Sequence, residues 1–195
     1  MEVGDEVAGD PTDYSQTRNA KGNALVLMSM NVMPEKRGQH LPKQLITYVR
    51  LLAQSLHVQY IIGSFRPSEF GAEKQLRGCE LSFEDYVRET VNRVDTEGSL
   101  GEPGMIVQLP KDGWLRSLSW LGMKPLKVDT VAMTVMVPMH QFDEYRKTYQ
   151  PEKWWQKSPT EWECGEVGSW QISAEGATYR EKNLWGMLTV QKGQK

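Results

Sequence analysis

Residues 33–42, Met33-Pro34-Glu35-Lys36-Arg37-Gly38-Gln39-His40-Leu41-Pro42, hold the clearest chemical potential in the sequence. A polar loop with two cations and a glycine leaves an apolar run and enters an amphipathic segment. Loop N–H groups and the positive end of a helix converge there on one point, which suits an anion such as a pyrophosphate. Lys36 and Arg37 add charge, and Gly38 lets backbone approach a ligand closely. A turn between strand and helix also uses a glycine and a basic residue simply to make the turn, so the loop alone leaves both readings open. The other reactive side chains are scattered. Cys79 and Cys164, with His40, His57 and His140, fit no zinc spacing. No metal is therefore expected, and two idle, unpaired thiols suit a reducing compartment, the cytoplasm.

The elements around the loop follow from hydropathy. Ala24–Met33 is a continuous apolar run ended by Pro34, which predicts a buried strand. Leu41, Leu45, Ile46, Val49, Leu52, Ala53 and Leu56 share one helical face, with Pro42 at a start where proline is tolerated. Val58–Gly63 then reads as a second buried strand. Strand, loop, helix and strand make a βαβ unit, with parallel pairing and a right-handed crossover. Ser82-Phe83-Glu84-Asp85 carries a capping pattern and predicts a helix with Phe83, Tyr86, Val87, Val91 and Val94 on its apolar side. Residues 95–114 are rich in glycine and proline, so at most one or two helical turns are expected there. Leu115–Met123 and Thr130–Met139 predict an antiparallel strand pair turning at 124–129, and His140–Tyr149 a short helix. In the tail, Gly168–Ile172 and Trp185–Val190 are strand-like, with a glycine–aromatic texture that suits hairpins packing on a sheet edge.

Composition bounds the function. The chain has 195 residues, 39% of them hydrophobic and 25% charged, an ordinary balance for a single globular domain. Lys and Arg number 23 against 25 Asp and Glu, for a net charge of -2. That excludes a global basic field for nucleic acid or an anionic membrane. No apolar run approaches the roughly 18 residues of a membrane span. Residues 1–23 are polar and aperiodic, with an acidic start unlike a signal peptide, and are expected to form a mobile arm. Five of the seven tryptophans fall between Trp154 and Trp185. They either fill a core or form a ligand-stacking wall. The domain organisation expected is an arm over 1–23, an α/β domain over 24–149 and a Trp-rich, β-containing extension over 150–195 packed on that domain.

Val32-Met33-Pro34-Glu35-Lys36-Arg37-Gly38-Gln39-His40-Leu41-Pro42, with the helix and the Ile61-Ile62-Gly63 strand that follow, resembles the acyl-CoA-binding motif of GNAT-superfamily acyltransferases. Phe65-Arg66-Pro67-Ser68, the Ser82–Val87 segment and the Pro103…Gln108…Gly113-Trp114 stretch are similar to one branch of that superfamily. The branch includes GNAT domains fused to carbon–nitrogen hydrolases and the GNAT-like loading domains of polyketide synthases. The similarity covers about residues 22–139 and implies a GNAT-like mixed sheet. Two departures stand out. His40 and Pro42 occupy positions that are usually small in the family, and only 23 residues precede the first strand, so the N-terminal half of the fold is expected to be missing.

The resemblance implies a function as well. Val32, Met33, Lys36, Arg37, Gly38, Gln39, His40 and Leu41 would hold coenzyme A, with acetyl-CoA or another acyl-CoA as co-substrate. A backbone N–H near Val32 would polarise the thioester carbonyl where the strand pair splays. Ser64 would hydrogen-bond the substrate, Glu69 would draw the proton from an attacking amine, and Arg66 would pair with a substrate carboxylate. Gln108 stands where the decarboxylating loading domains use a histidine, and a neutral amide cannot shuttle protons. The expected activity is N-acyl transfer to a small molecule or carrier protein. Its alternatives are a non-catalytic ligand- or partner-binding module and a loading or decarboxylase domain. A homo-oligomer or a partner chain would supply the missing half; nucleic acid and membrane are not expected partners.

Overall fold

The structure is a computed structural model that describes residues 22–190 apart from 29, 31, 37, 40 and 78–80. The N-terminal arm up to residue 21, Arg37, His40 and Cys79 thus lie outside the described residues. Strand β1 (Ala24–Leu27) pairs in parallel with β2 (Tyr60–Phe65), from Ala24 opposite Tyr60 to Leu27 opposite Gly63. Helix α1 (Leu41–Ser55) connects them, so the βαβ unit is present. The first strand is shorter than its apolar run predicts. It ends at Leu27, and Pro34–Lys36 forms one 3-10 turn. Apolar character marks a segment for burial, but a strand also needs a ladder partner, and beyond Gly63 strand β2 pairs only with the C-terminal strand.

Helix α2 (Phe70–Arg77) and the single turn α3 (Phe83–Tyr86) follow. Ser82 caps α3 as its sequence predicts, accepting from the Asp85 N–H at 3.0 Å. The helix does not continue to Val94. Val91 and Val94 belong to β3 (Thr90–Asp95), which pairs with β4 (Met105–Pro110) in a separate two-stranded antiparallel sheet. The glycines between them serve the hairpin loop, where the Asp95 carboxylate accepts from Ser99 and Leu100 N–H at 2.9 and 2.7 Å.

Leu115–Met123 is not a strand. It falls largely in α4 (Gly113–Trp120), and Lys124–Val137 is one long strand, β5, where a turn is expected at 124–129. The helix starts because Asp112 Oδ1 accepts from the Trp114 and Leu115 N–H groups, each at 3.0 Å. Its three-residue spacing then drives Leu115 and Leu118 into the core. Helix α5 (Met139–Thr148) appears as expected.

The tail forms β6 (Trp155–Ser158), β7 (Glu161–Glu163), β8 (Ser169–Ile172) and β9 (Ala177–Thr189). β9 is not an edge cover. Leu184, Trp185 and Met187 pair with both β2 and β5, so those strands flank β9 on opposite edges. Ala177–Arg180 likewise pairs with both β8 and β5. β2 and β8 therefore share one edge of β9 end to end. The result is a mixed sheet ordered β1-β2-β9-β8-β7-β6, with β5 along the other side of β9.

Apart from a cluster around Phe70, Phe83 and Tyr86, two apolar clusters hold this sheet. Ile46, Ala53, Ile61, Phe65, Leu115, Leu118, Leu184 and Leu188 form one under α1 and α4. In the other, Trp154, Trp162 and Trp170 surround Phe142 with ring centroids at 5.7, 6.5 and 5.1 Å. Three tail tryptophans thus fill a core. The apolar face of α1 is wider than the sheet beneath it: Ile46 and Ala53 are buried, while Leu45, Leu52 and Leu56 are exposed. β1 is a four-residue edge strand, and the outer flank of α1 projects beyond it. No helix among the described residues is long and apolar enough to cross a membrane.

These placements set two expectations. Leu118→Ala should lower the unfolding free energy by about 2–5 kcal/mol, and Leu52→Ala by no more than about 0.5 kcal/mol, both read by chemical denaturation. Acid should also weaken the fold. Lys111, at 2.8 Å, holds the Glu73 carboxyl below the ordinary carboxylate range, and Lys182, at 2.7 Å, does the same for Glu84. Both groups return to about 4.3 in the unfolded chain. Because the folded values are the lower ones, the stabilisation is present above the unfolded value and is lost as pH falls through the folded values. The urea midpoint should drop between about pH 5 and pH 3, with a shallower drop in a Glu73→Gln/Glu84→Gln double variant.

Candidate functional site

β1 parts from β2 after the Leu27–Gly63 pair, and the chain passes over the start of α1. There Met30, Val32, Met33, Lys36, Leu41 and Tyr48 line a groove of about 600 Å³. Val32, Met33, Lys36 and Leu41 are thus brought together on one groove. Gly38 turns the loop at φ 80°, in the left-handed region, and an added Cβ there would meet nothing within 4 Å. The Gln39 carbonyl accepts from Gln44 Nε2 at 3.3 Å, which ties the loop to the first turn of α1. The groove wall is mainly aliphatic, with the Lys36 ammonium as its cation.

Among the described residues, no hydrogen bond joins Ser64, Glu69 and Gln108, the three residues expected to act in catalysis. Glu69 is drawn into the start of α4: its Oε2 accepts from the Gly113 N–H at 3.3 Å, and its own N–H donates to Asp112 Oδ2 at 2.9 Å. Gln108 lies on β4 of the small sheet, opposite Asn92. Ser64 alone stands on β2, one residue past the last pairing with β1.

Ser64 leads into a polar network. With its side-chain amide oriented to satisfy both neighbours, Asn183 accepts from Ser64 Oγ at 3.1 Å and donates to Glu181 Oε1 at 3.2 Å. The buried Glu181 carboxylate accepts from the Tyr179 hydroxyl at 2.8 Å and faces Arg66 Nη2 at 3.4 Å. Arg66 also pairs with Glu166, and Glu166 accepts from the Tyr149 hydroxyl. Ser64 and Arg66 are therefore linked through Asn183 and Glu181. Arg66 meets two carboxylates of the protein itself. Burial, with Glu181 beside it, pushes the Tyr179 phenol far above its ordinary range, so it stays a donor. Of these groups Arg66, Glu166 and Tyr179 border a cleft of about 520 Å³ that also includes Cys164, whose thiol burial pushes up and keeps protonated.

Tyr179, Glu181 and Asn183 escape a search for motifs, yet their two-residue spacing places them on one face of β9. That alternation is the signal that could have found them. The loop beside them is held by a buried ion pair. Lys74 of α2 binds Glu163 and donates to the Val167 and Gly168 carbonyls at 3.3 and 3.2 Å. Gly71 permits this approach, because a Cβ there would run into the Gly165 carbonyl oxygen. Among the described residues, no group of three or more His, Cys, Asp or Glu side chains could hold a metal ion. Compared with models of protein families, with curated proteins and with solved structures, the chain matches none.

Breaking the buried pair should be costly because it strands a charge. Lys74→Ala should destabilise by about 3–5 kcal/mol. A Lys74→Met/Glu163→Leu double variant should recover much of that loss, as read by a double-mutant cycle in urea.

Proposed function

We propose that the chain is a GNAT-like ligand-binding module that takes an acyl thioester of coenzyme A, or its pantetheine equivalent, at the start of α1. One observation carries this reading: Val32, Met33, Lys36 and Leu41, chosen by their motif, line a single groove where β1 leaves β2. The aliphatic wall suits an acyl chain and pantetheine arm, and the Lys36 ammonium suits a phosphate. The βαβ unit supports the GNAT reading, although its strands part at Leu27 and Gly63, earlier than the splay near Val32 that the resemblance implies. On this reading the Trp-rich segment after residue 150 is integral to the sheet, because its last strand, β9, pairs directly with β2 beside the groove.

Binding is put ahead of catalysis because Glu69 serves the start of α4 and, among the described residues, no hydrogen bond links Ser64, Glu69 and Gln108 to one another. Acyl transfer is the second reading, and it rests on Ser64, whose hydroxyl lies beside the strand separation and connects through Asn183 to Glu181. In that reaction the amine nitrogen would form a bond to the thioester carbonyl carbon, the C–S bond would break, and the sulfur would leave with the amine's proton as free coenzyme A thiol. A loading or decarboxylase activity gains nothing from Gln108, which lies on the small sheet.

Thermal unfolding in the presence of acetyl-CoA and of 4′-phosphopantetheine tests the binding. A ligand held only by the folded state at 100 times its Kd adds about 2.7 kcal/mol, so both compounds should raise Tm, and Lys36→Ala should reduce the rise. No rise with either compound at about 1 mM rejects the reading. Release of free thiol from acetyl-CoA with a panel of amines would establish transfer; binding without release leaves the module.

A further inference from the structure

The opposite flank of α1 carries a second cleft, of about 960 Å³, between α1, the end of β3, α4 and the first residue of β5. Its volume lies at the upper end of the range of about 300–1,000 Å³ common for small-molecule sites. Lys43 and Arg50 project into it from one stripe of α1, seven residues apart, and Lys124 joins them from β5. None of the three has a carboxylate partner among the described residues. Arg50 is the most telling. One Nη donates to the Leu121 carbonyl at the end of α4, and its Nε is buried with no partner. A partly buried guanidinium with an unmet donor and no counter-charge favours an arriving anion.

The rest of the wall narrows the kind of anion. Trp114 and Trp120, on α4, border the same cleft and offer indole surfaces for a planar ring. Trp114 is braced edge-on by Phe65, with centroids 6.4 Å apart. Of the two acids in the wall, Asp95 is committed to the Ser99 and Leu100 N–H groups. Glu97 is exposed and has no ion-pair partner among the described residues, so its carboxylate can accept from hydroxyl groups. We propose that this cleft binds a mononucleotide, with the phosphate on Lys43, Arg50 and Lys124, the base against an α4 indole, and a ribose hydroxyl donating to Glu97. The cleft and the groove lie on different stripes of α1, so this site stands or falls independently of the acyl-thioester reading.

Titration calorimetry of the full chain tests the proposal with AMP, adenosine, inorganic phosphate and a short single-stranded oligonucleotide. AMP should bind, and adenosine and phosphate should each bind more weakly, because each lacks half of the recognised chemistry. Lys43 and Lys124 are exposed, so a Lys43→Ala/Lys124→Ala variant should fold normally while weakening AMP at least about tenfold. Lys36→Ala should leave AMP unchanged, and the Lys43/Lys124 variant should leave 4′-phosphopantetheine unchanged; these arms separate the cleft from the groove. Trp120→Leu should weaken AMP without altering phosphate. The proposal is overturned if AMP fails to bind at millimolar concentration or binds the Lys43/Lys124 variant as tightly as the parent. Oligonucleotide binding without AMP binding also overturns it.

Discussion

The fold depends on one strand that is paired along both edges. β9 carries β5 along one side and both β2 and β8 along the other, so its 13 residues join the βαβ unit to the tryptophan-rich strands. Most residues of that strand have a ladder partner on each edge, Glu181–Asn183 lacking one on the β2/β8 side, and its side chains contribute to two apolar clusters: Leu184 and Leu188 to one, Ala177 and Tyr179 to the other. The alternate residues Tyr179, Glu181 and Asn183 are then held in the middle of the sheet, where burial makes their hydrogen bonds obligatory.

The buried charged groups Asp112 and Lys74 are each met by several partners. Asp112 takes the N–H groups of Trp114, Leu115 and Glu69 and the Tyr86 hydroxyl, and so ties α3 and α4 to the segment after β2. Lys74 takes one carboxylate and two carbonyls and so fixes the loop before β8. Arg50 lacks this treatment, with one carbonyl for its guanidinium and an unmet Nε. The near-neutral total charge of -2 therefore conceals a local excess of cations along one flank of α1.

The two flanks of α1 also differ in chemistry. The Leu41, Leu45 and Tyr48 flank faces the groove beside β1, and the Lys43 and Arg50 flank faces the cleft beside α4. The helix carries both because its core contact is narrow, limited to Ile46, Ala53 and the partly buried Val49. A four-residue edge strand cannot cover more of it.

Local pattern by itself determined the βαβ unit, the Ser82 cap, helix α5 and the strand character of the tail, because hydropathy period and capping residues are readable within one short segment. The groove was legible for the same reason: Val32 to Leu41 are neighbours in the chain. Long-range pairing decided the rest. Whether 124–129 turns or runs straight depends on β9, which arrives some 50 residues or more later, and whether 28–33 extends a strand depends on a ladder partner that β2 does not supply beyond Gly63. The Arg50 cleft draws residues from distant elements, and of the Glu181 network only the alternation of Tyr179, Glu181 and Asn183 is visible along the chain, not their partners Ser64 and Arg66. Ladder partners and burial are properties of the assembled sheet, and only the assembled sheet could set them.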